Sequence, residues 1–244
     1  MKYPKLRDSK RLLTREPYPI NEFPNEIIKR ICRQFVYLKC VGRNDLAGND
    51  WGDVFAEAIG GKHHNSPLGL TDVTLGNMAW SMKTIKNNNP HTTRAVMRLI
   101  SGRNATNFSF DIDNPFEDIQ ATGDAVLRIW NERVSIAYNQ YAALRTAVLV
   151  RDFDALKFTL FEKETHKFVP SAYYWKLNKD RNFEGFDIDS EKKCFTWQPN
   201  GAQFTLHVPI PRNAYKFKIK LPPKLNVDKT LEQINYNDDW VEFL

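Results

Sequence analysis

Three residues are of the right kinds, and close enough in the chain, to act together on a phosphate ester: Asp72, Ser81 and Lys83. Mg²⁺ typically takes only one or two protein carboxylates and fills its shell with water and phosphate, so a single aspartate can begin such a site. An ammonium can orient the attacking water or offset charge building up on the phosphoryl oxygens. The hydroxyl adds a neutral oxygen. Carboxylate, hydroxyl and amine together suit metal-assisted phosphodiester hydrolysis. The main-chain carbonyl of Met82 is a further candidate metal oxygen. A second carboxylate is wanted, and Glu57 is the candidate, because its neighbours Ala56, Ala58 and Ile59 lead us to expect it to turn inward against the sheet. Asp53 lies four residues earlier on the same helical face.

The element that must position this trio is a β-hairpin. Leu70–Leu75 and Met78–Ile85 are β-favouring runs either side of Gly76-Asn77, a two-residue turn signal. That turn fixes the register: Leu75 faces Met78, Val73 faces Trp80, and Asp72 faces Ser81. Side chains alternate between faces, so Val73, Leu75, Met78, Trp80 and Met82 form an apolar surface for the core. Asp72, Thr74, Ala79, Ser81 and Lys83 share the other face. Opposed residues on such a pair sit about 5 Å apart at Cβ, close enough to act together. As plain surface pairing, the same cluster would contribute only ~0.2–1 kcal/mol.

In its order of parts, the stretch from about Asp50 to Lys86 resembles the PD-(D/E)XK nuclease superfamily. It carries an acid on a helix (Glu57), an aspartate on a strand (Asp72), a hairpin turn, and then Ser81-Met82-Lys83. More narrowly, it resembles type II restriction endonucleases in which serine replaces the second acid. Thr71 stands where the family has proline, and the loss of an acid at Ser81 requires Glu57 or another carboxylate to compensate. The resemblance implies an α/β fold with a restriction-endonuclease-like mixed β-sheet core flanked by helices. It further implies Mg²⁺-dependent cleavage of double-stranded DNA at a specific short sequence, within a restriction–modification system, and often a homodimer. Asp72, Glu57 and the Met82 carbonyl would be the metal ligands, with Lys83 and Ser81 completing the catalytic set. Repair and mobile-element nucleases share the same core motif.

Several polar groups are candidates for contacting DNA. After the hairpin come Asn87, Asn88, Asn89, His91 and Arg94, then Arg98, Arg103 and Asn104. Arginine pairs with guanine and asparagine with adenine in the major groove. A second patch offers Lys179, Arg181, Gln198 and Gln203. A helix expected over Thr92–Ile100 would also present its first amides to a phosphate.

The rest of the chain frames these residues. Its 244 residues are 42% hydrophobic, enough for a substantial core. The net charge of +6 favours an anionic partner. Three cysteines without C-x-x-C spacing read as reduced thiols, and no apolar run reaches the ~20 residues that span a bilayer, so a soluble cytoplasmic protein without membrane association is expected. His63, His64 and His207 lack zinc-ligand spacing.

We divide the chain into a proline-rich basic arm (1–24), a catalytic core (25–170) and a β-rich C-terminal extension (171–244), which could equally be continuous with the core. Helices are expected over Glu26–Lys39, from about Asp50 to Ile59, and over Ala121–Ala142. Strands are expected over Thr146–Arg151 and Ala155–Phe161, with short aromatic strands near Tyr173–Trp175, Phe195–Trp197, Ala202–His207 and Tyr215–Leu221. The acidic tail from Pro222 is expected to pack as a terminal segment. Two rivals stand beside the nuclease: a Ser81–Lys83 hydrolase, and a DNA-binding module without catalysis.

Overall fold

A computed structural model describes residues 16–64, 69–92 and 95–244. Its first two helices follow from the apolar spacing. Helix α1 (Asn25–Cys40) buries Ile28, Ile31 and Phe35, and α2 (Gly48–Ile59) buries Trp51, Val54, Phe55 and Ala58. Asp50 caps α2 through Ala47 N at 2.6 Å, and Gly60, left-handed at φ 73°, closes it.

These helices cover one face of a six-stranded sheet. In chain order its strands are β1 (Lys62–His63), β2 (Val73–Leu75), β3 (Met78–Lys86), β5 (Ala143–Asp152), β6 (Lys157–Glu164) and β11 (Tyr215–Lys218), and they lie side by side in that order. Strands β3 and β5 run parallel and the other described pairings are antiparallel, so the fold is mixed α/β. Trp51, Phe55, Trp80, Phe35 and Phe158 form the aromatic heart of the core beneath α1 and α2.

The parallel pair needs a crossover, and the crossover builds the second layer. It contains β4 (Val96–Arg103), α3 (Thr106–Phe110) and α4 (Ile119–Tyr138). Strand β4 joins β10 (Gln203–Pro209), β9 (Lys193–Gln198), β8 (Phe183–Asp187) and β7 (Tyr173–Leu177) in a five-stranded antiparallel sheet. Helix α4 serves both sheets. Its Val126, Trp130 and Val134 share one core with Ala79, Val148 and Phe161 of the first sheet and with Leu99, Phe195 and Phe204 of the second. Gly123 permits the close approach, since a Cβ there would fall within the indole of Trp175.

Two expectations change, at residues 96–103 and in the tail. Residues 96–103 form a strand, because Met97, Leu99 and Ser101 are buried while Val96, Arg98 and Ile100 are exposed; this period of two outweighs any helical signal. The division at 170/171 does not separate the sheets. The second sheet takes β4 from the earlier part, and β11 returns from the later part to the first sheet, so the strands interleave around shared cores. The tail from Pro222 carries a short helix, α5 (Val227–Gln233), but buries no residue there. Of the basic arm, residues 1–15 lie outside the described residues, whereas Tyr18 and Phe23 are buried against the first sheet. No helix among the described residues is long and apolar enough to cross a membrane.

Candidate active site at the end of the hairpin

The hairpin has the register read from its turn. Val73 pairs Trp80, Thr74 pairs Ala79, and Leu75 pairs Met78, with Gly76 at φ 54°. Strand pairing ends at Val73, and the next residue replaces the missing ladder bond with its side chain. Asp72 Oδ2 accepts the Met82 N–H at 2.8 Å and lies 3.4 Å from Ser81 Oγ. The carboxylate is thus locked onto the main chain of β3. Ser81 is fully buried and donates its hydroxyl to the Gly69 carbonyl at 2.9 Å. A hydroxyl so enclosed and occupied is a positioning group, which removes the footing of a serine nucleophile.

Lys83 lies two residues further on the same face. Burial lowers its pKa, and nearby Arg133 lowers it further, while the Asp72 carboxylate acts in the opposite direction. Arg133 was not singled out from the sequence. It projects from α4 and also feels Asp72, although burial dominates and lowers its pKa. Its Nη1 donates to Ser101 O at 2.6 Å and Asn104 Oδ1 at 3.2 Å, and the guanidinium lies over the Trp130 ring at 5.6 Å. Gly102 makes room, because a Cβ there would come within 2.6 Å of Nη2. A glycine in β4 and a charge one turn beyond Trp130 were the visible signals. Neither has meaning until β4 is recognised as a strand.

The remaining site candidates divide sharply. Glu57 is exposed, contrary to the expectation that it turns inward. The face of α2 carrying Trp51, Val54, Phe55 and Ala58 takes the core, which leaves Glu57 to one side with Asp53. Asp53 pairs with His63 Nδ1 at 2.7 Å, and His64 Nε2 meets Thr74 Oγ1 at 2.9 Å. Among the described residues, no group of three or more His, Cys, Asp or Glu could hold a metal ion. Asp72 therefore stands without Glu57. Met82 directs its N–H toward Asp72, and an extended residue's carbonyl points to the same strand edge as its N–H. One carboxylate and one carbonyl fit Mg²⁺ when water and substrate phosphate complete the shell.

The candidate DNA contacts are also sorted by the fold. Arg103, Gln203 and Gln198 come from three strands but pair across one row, Gln203 opposite both Arg103 and Gln198. Arg98 is exposed on β4, and Lys179 and Arg181 are exposed in the β7–β8 turn, Arg181 lying 4.2 Å over the Phe116 ring. Asn88 and Asn89 are exposed, while Asn87 Oδ1 accepts Asn89 N at 2.8 Å. Arg94 lies outside the described residues.

Two candidates are engaged with the main chain. Asn104 is fully buried, donating to Val126 O at 2.9 Å and accepting from Arg133, so it braces the site from inside. His91 Nε2 lies 3.1 Å from Phe158 O and 3.2 Å from Phe217 O, where it ties β6 to β11. The main chain took both residues, because buried carbonyls must find donors.

A second charged cluster, not foreseen, occupies the opposite face of the first sheet. Buried Glu162 accepts from Tyr18 Oη at 2.8 Å, Trp80 Nε1 at 2.7 Å and Arg145 Nη1 at 2.8 Å. Arg145 also donates to Glu16 at 2.6 Å and to the Tyr18 carbonyl at 2.9 Å. Burial raises the Glu162 pKa, opposed by Arg145 and the other donors.

No family model, curated protein or solved structure matches this chain.

Proposed function

We propose that this protein is a Mg²⁺-dependent phosphodiesterase of double-stranded DNA, acting site-specifically in the manner of a type II restriction endonuclease. One observation carries the reading. A single carboxylate, Asp72, faces two partly desolvated cations, Lys83 and Arg133, beside the strand edge of β3. Among the described residues, two positive charges around one negative give the corner an excess that attracts an anion, and burial strengthens that attraction. A phosphodiester is an anion whose charge grows in the transition state.

Each residue then has a task. Asp72 is held against β3 through Met82 and Ser81, and its carboxylate, with the Met82 carbonyl, would hold the metal ion. When bound, Mg²⁺ would supply charge neutralisation at the scissile phosphate and acidify a water. Lys83 in its protonated form offsets charge on the phosphoryl oxygens. Arg133, anchored by Ser101 and Asn104, supports that corner and ties it to the second sheet. Exposed Arg98, Arg103, Lys179 and Arg181 supply phosphate and base-edge contacts along the duplex.

The test is incubation of supercoiled plasmid and phage DNA with the purified protein, with Mg²⁺ or with chelator. Discrete metal-dependent fragments support site-specific cleavage. A smear supports a nuclease without sequence preference, as in repair or mobile-element enzymes. Tight binding without cutting under every divalent cation would leave a DNA-binding module and sink the enzymatic reading.

A further inference from the structure

The segment 227–244 has no buried residue, yet it is locally well organised. Asn226 Oδ1 caps α5 by accepting Lys229 N at 3.0 Å, Tyr236 N donates to Leu231 O at 2.9 Å, and Asn237 Oδ1 accepts Asp239 N at 3.1 Å. Tyr236 and Trp240 pack edge to face with centroids 5.7 Å apart. The result is a preformed aromatic knob in solvent, with Trp240 62% and Phe243 94% exposed. Exposed clustered aromatics mark contact surfaces. The segment is also acidic, with Asp228, Glu232, Asp238, Asp239 and Glu242 against Lys229 alone.

A complementary surface lies on α1. Cys32, Val36, Tyr37 and Cys40 recur at helical spacing beside the buried stripe and, with Arg33 and Leu225, line an apolar groove of about 440 Å³. Helix α1 is basic, with Lys29, Arg30, Arg33 and Lys39 against Glu26. Among the described residues, the chain returns to this groove at Leu225, whose N–H donates to Cys40 O at 2.9 Å, and then leaves it as α5. Each copy therefore shows both an acidic, aromatic arm and a basic, apolar groove. A reciprocal twofold exchange satisfies both at once.

We propose that residues 227–244 of one copy dock in the α1 groove of a second copy, forming a symmetric dimer. Trp240 and Phe243 supply the apolar contact, and the acids of the arm face Lys29 and Arg33. This assignment is independent of the nuclease reading.

Sedimentation velocity across the micromolar range tests it. The full chain is expected near twice its 28.4 kDa mass. The double variant Trp240→Asp/Phe243→Asp, and separately Arg33→Glu, should sediment as monomers with unchanged melting temperature. Pairing Arg33→Glu with Asp239→Lys should recover the dimer. A full chain monomeric throughout that range overturns the proposal, as does a dimer unaffected by the double variant. A monomer whose Trp240 fluorescence is shielded from acrylamide places the arm on its own groove, and also overturns it.

Discussion

The first sheet carries a charge cluster on each face, and the two are built oppositely. On the α1–α2 side, Glu162 receives three side-chain donors, one of them an arginine that is itself held by the arm. The buried Glu162–Arg145 pair is matched in charge and hydrogen bonds, and the half-exposed Glu16 leaves the cluster one charge negative. Beyond the hairpin, among the described residues, Asp72 faces two cations, Lys83 and Arg133, and burial depresses the pKa of both. A saturated ion cluster is a brace. A positive excess beside a strand edge suits an incoming anion. Burial of ionisable groups alone does not distinguish them; the sign of the excess does, since the Glu162 cluster sets two acids against one arginine and the hairpin corner, among the described residues, sets two cations against one acid.

That contrast can be broken most forcefully at the hairpin. Asp72→Asn or Lys83→Met should reduce DNA cleavage by about a thousand-fold, in line with losing a preorganised electrostatic group. The melting temperature should hold or rise in Lys83→Met, because a desolvated cation is removed. A fall in stability matching the fall in activity would make this cluster another brace.

Glu162→Ala should do the reverse. Leaving buried Arg145 with only the half-exposed Glu16 as counter-charge should lower unfolding free energy by about 3 kcal/mol in urea titrations, while the folded fraction keeps its specific activity. Glu57→Ala is expected to change cleavage by no more than about threefold, as suits a surface substitution, and a severe loss would return the helix acid to the metal site.

The smallest effect lies outside both clusters. His207 is held down to about 4 by burial first, then by Lys193 and Arg98. Its folded pKa is below the unfolded value near 6.5, so its neutral form contributes stability that is present above that pH and lost as pH falls toward about 4. Thermal melts of His207→Gln should show a flatter acid limb across that window.

The hairpin was legible because a two-residue turn leaves one register, and side-chain alternation then assigns both faces without tertiary information. Helices α1, α2 and α4 were legible from apolar spacing for the same local reason. What escaped reading depends on distant segments. Strand β4 has a period of two but is short, and only its pairing with β10, a hundred residues later, gives it a sheet. Arg133 enters the site through that sheet and was missed with it. Asn104 and His91 looked like free polar groups, since no local signal reveals which carbonyls a fold will leave needing a donor. Glu57 illustrates the opposite error: apolar neighbours in sequence do not decide which arc of a helix faces inward.

The brevity of β2 has a consequence for recognition. It pairs β3 only as far as Trp80, and no described strand continues alongside from there to Lys86. With Met82 turned toward Asp72, Thr84 and Lys86 present their amide and carbonyl groups along the same margin. A polymer laid on that rail would meet peptide groups whose chemistry is identical whatever residues occupy those positions. In the nuclease we propose, grip there would be indifferent to mutation and blind to letters, and discrimination among targets would fall to exposed side chains of the second sheet, such as Arg98 and Arg103.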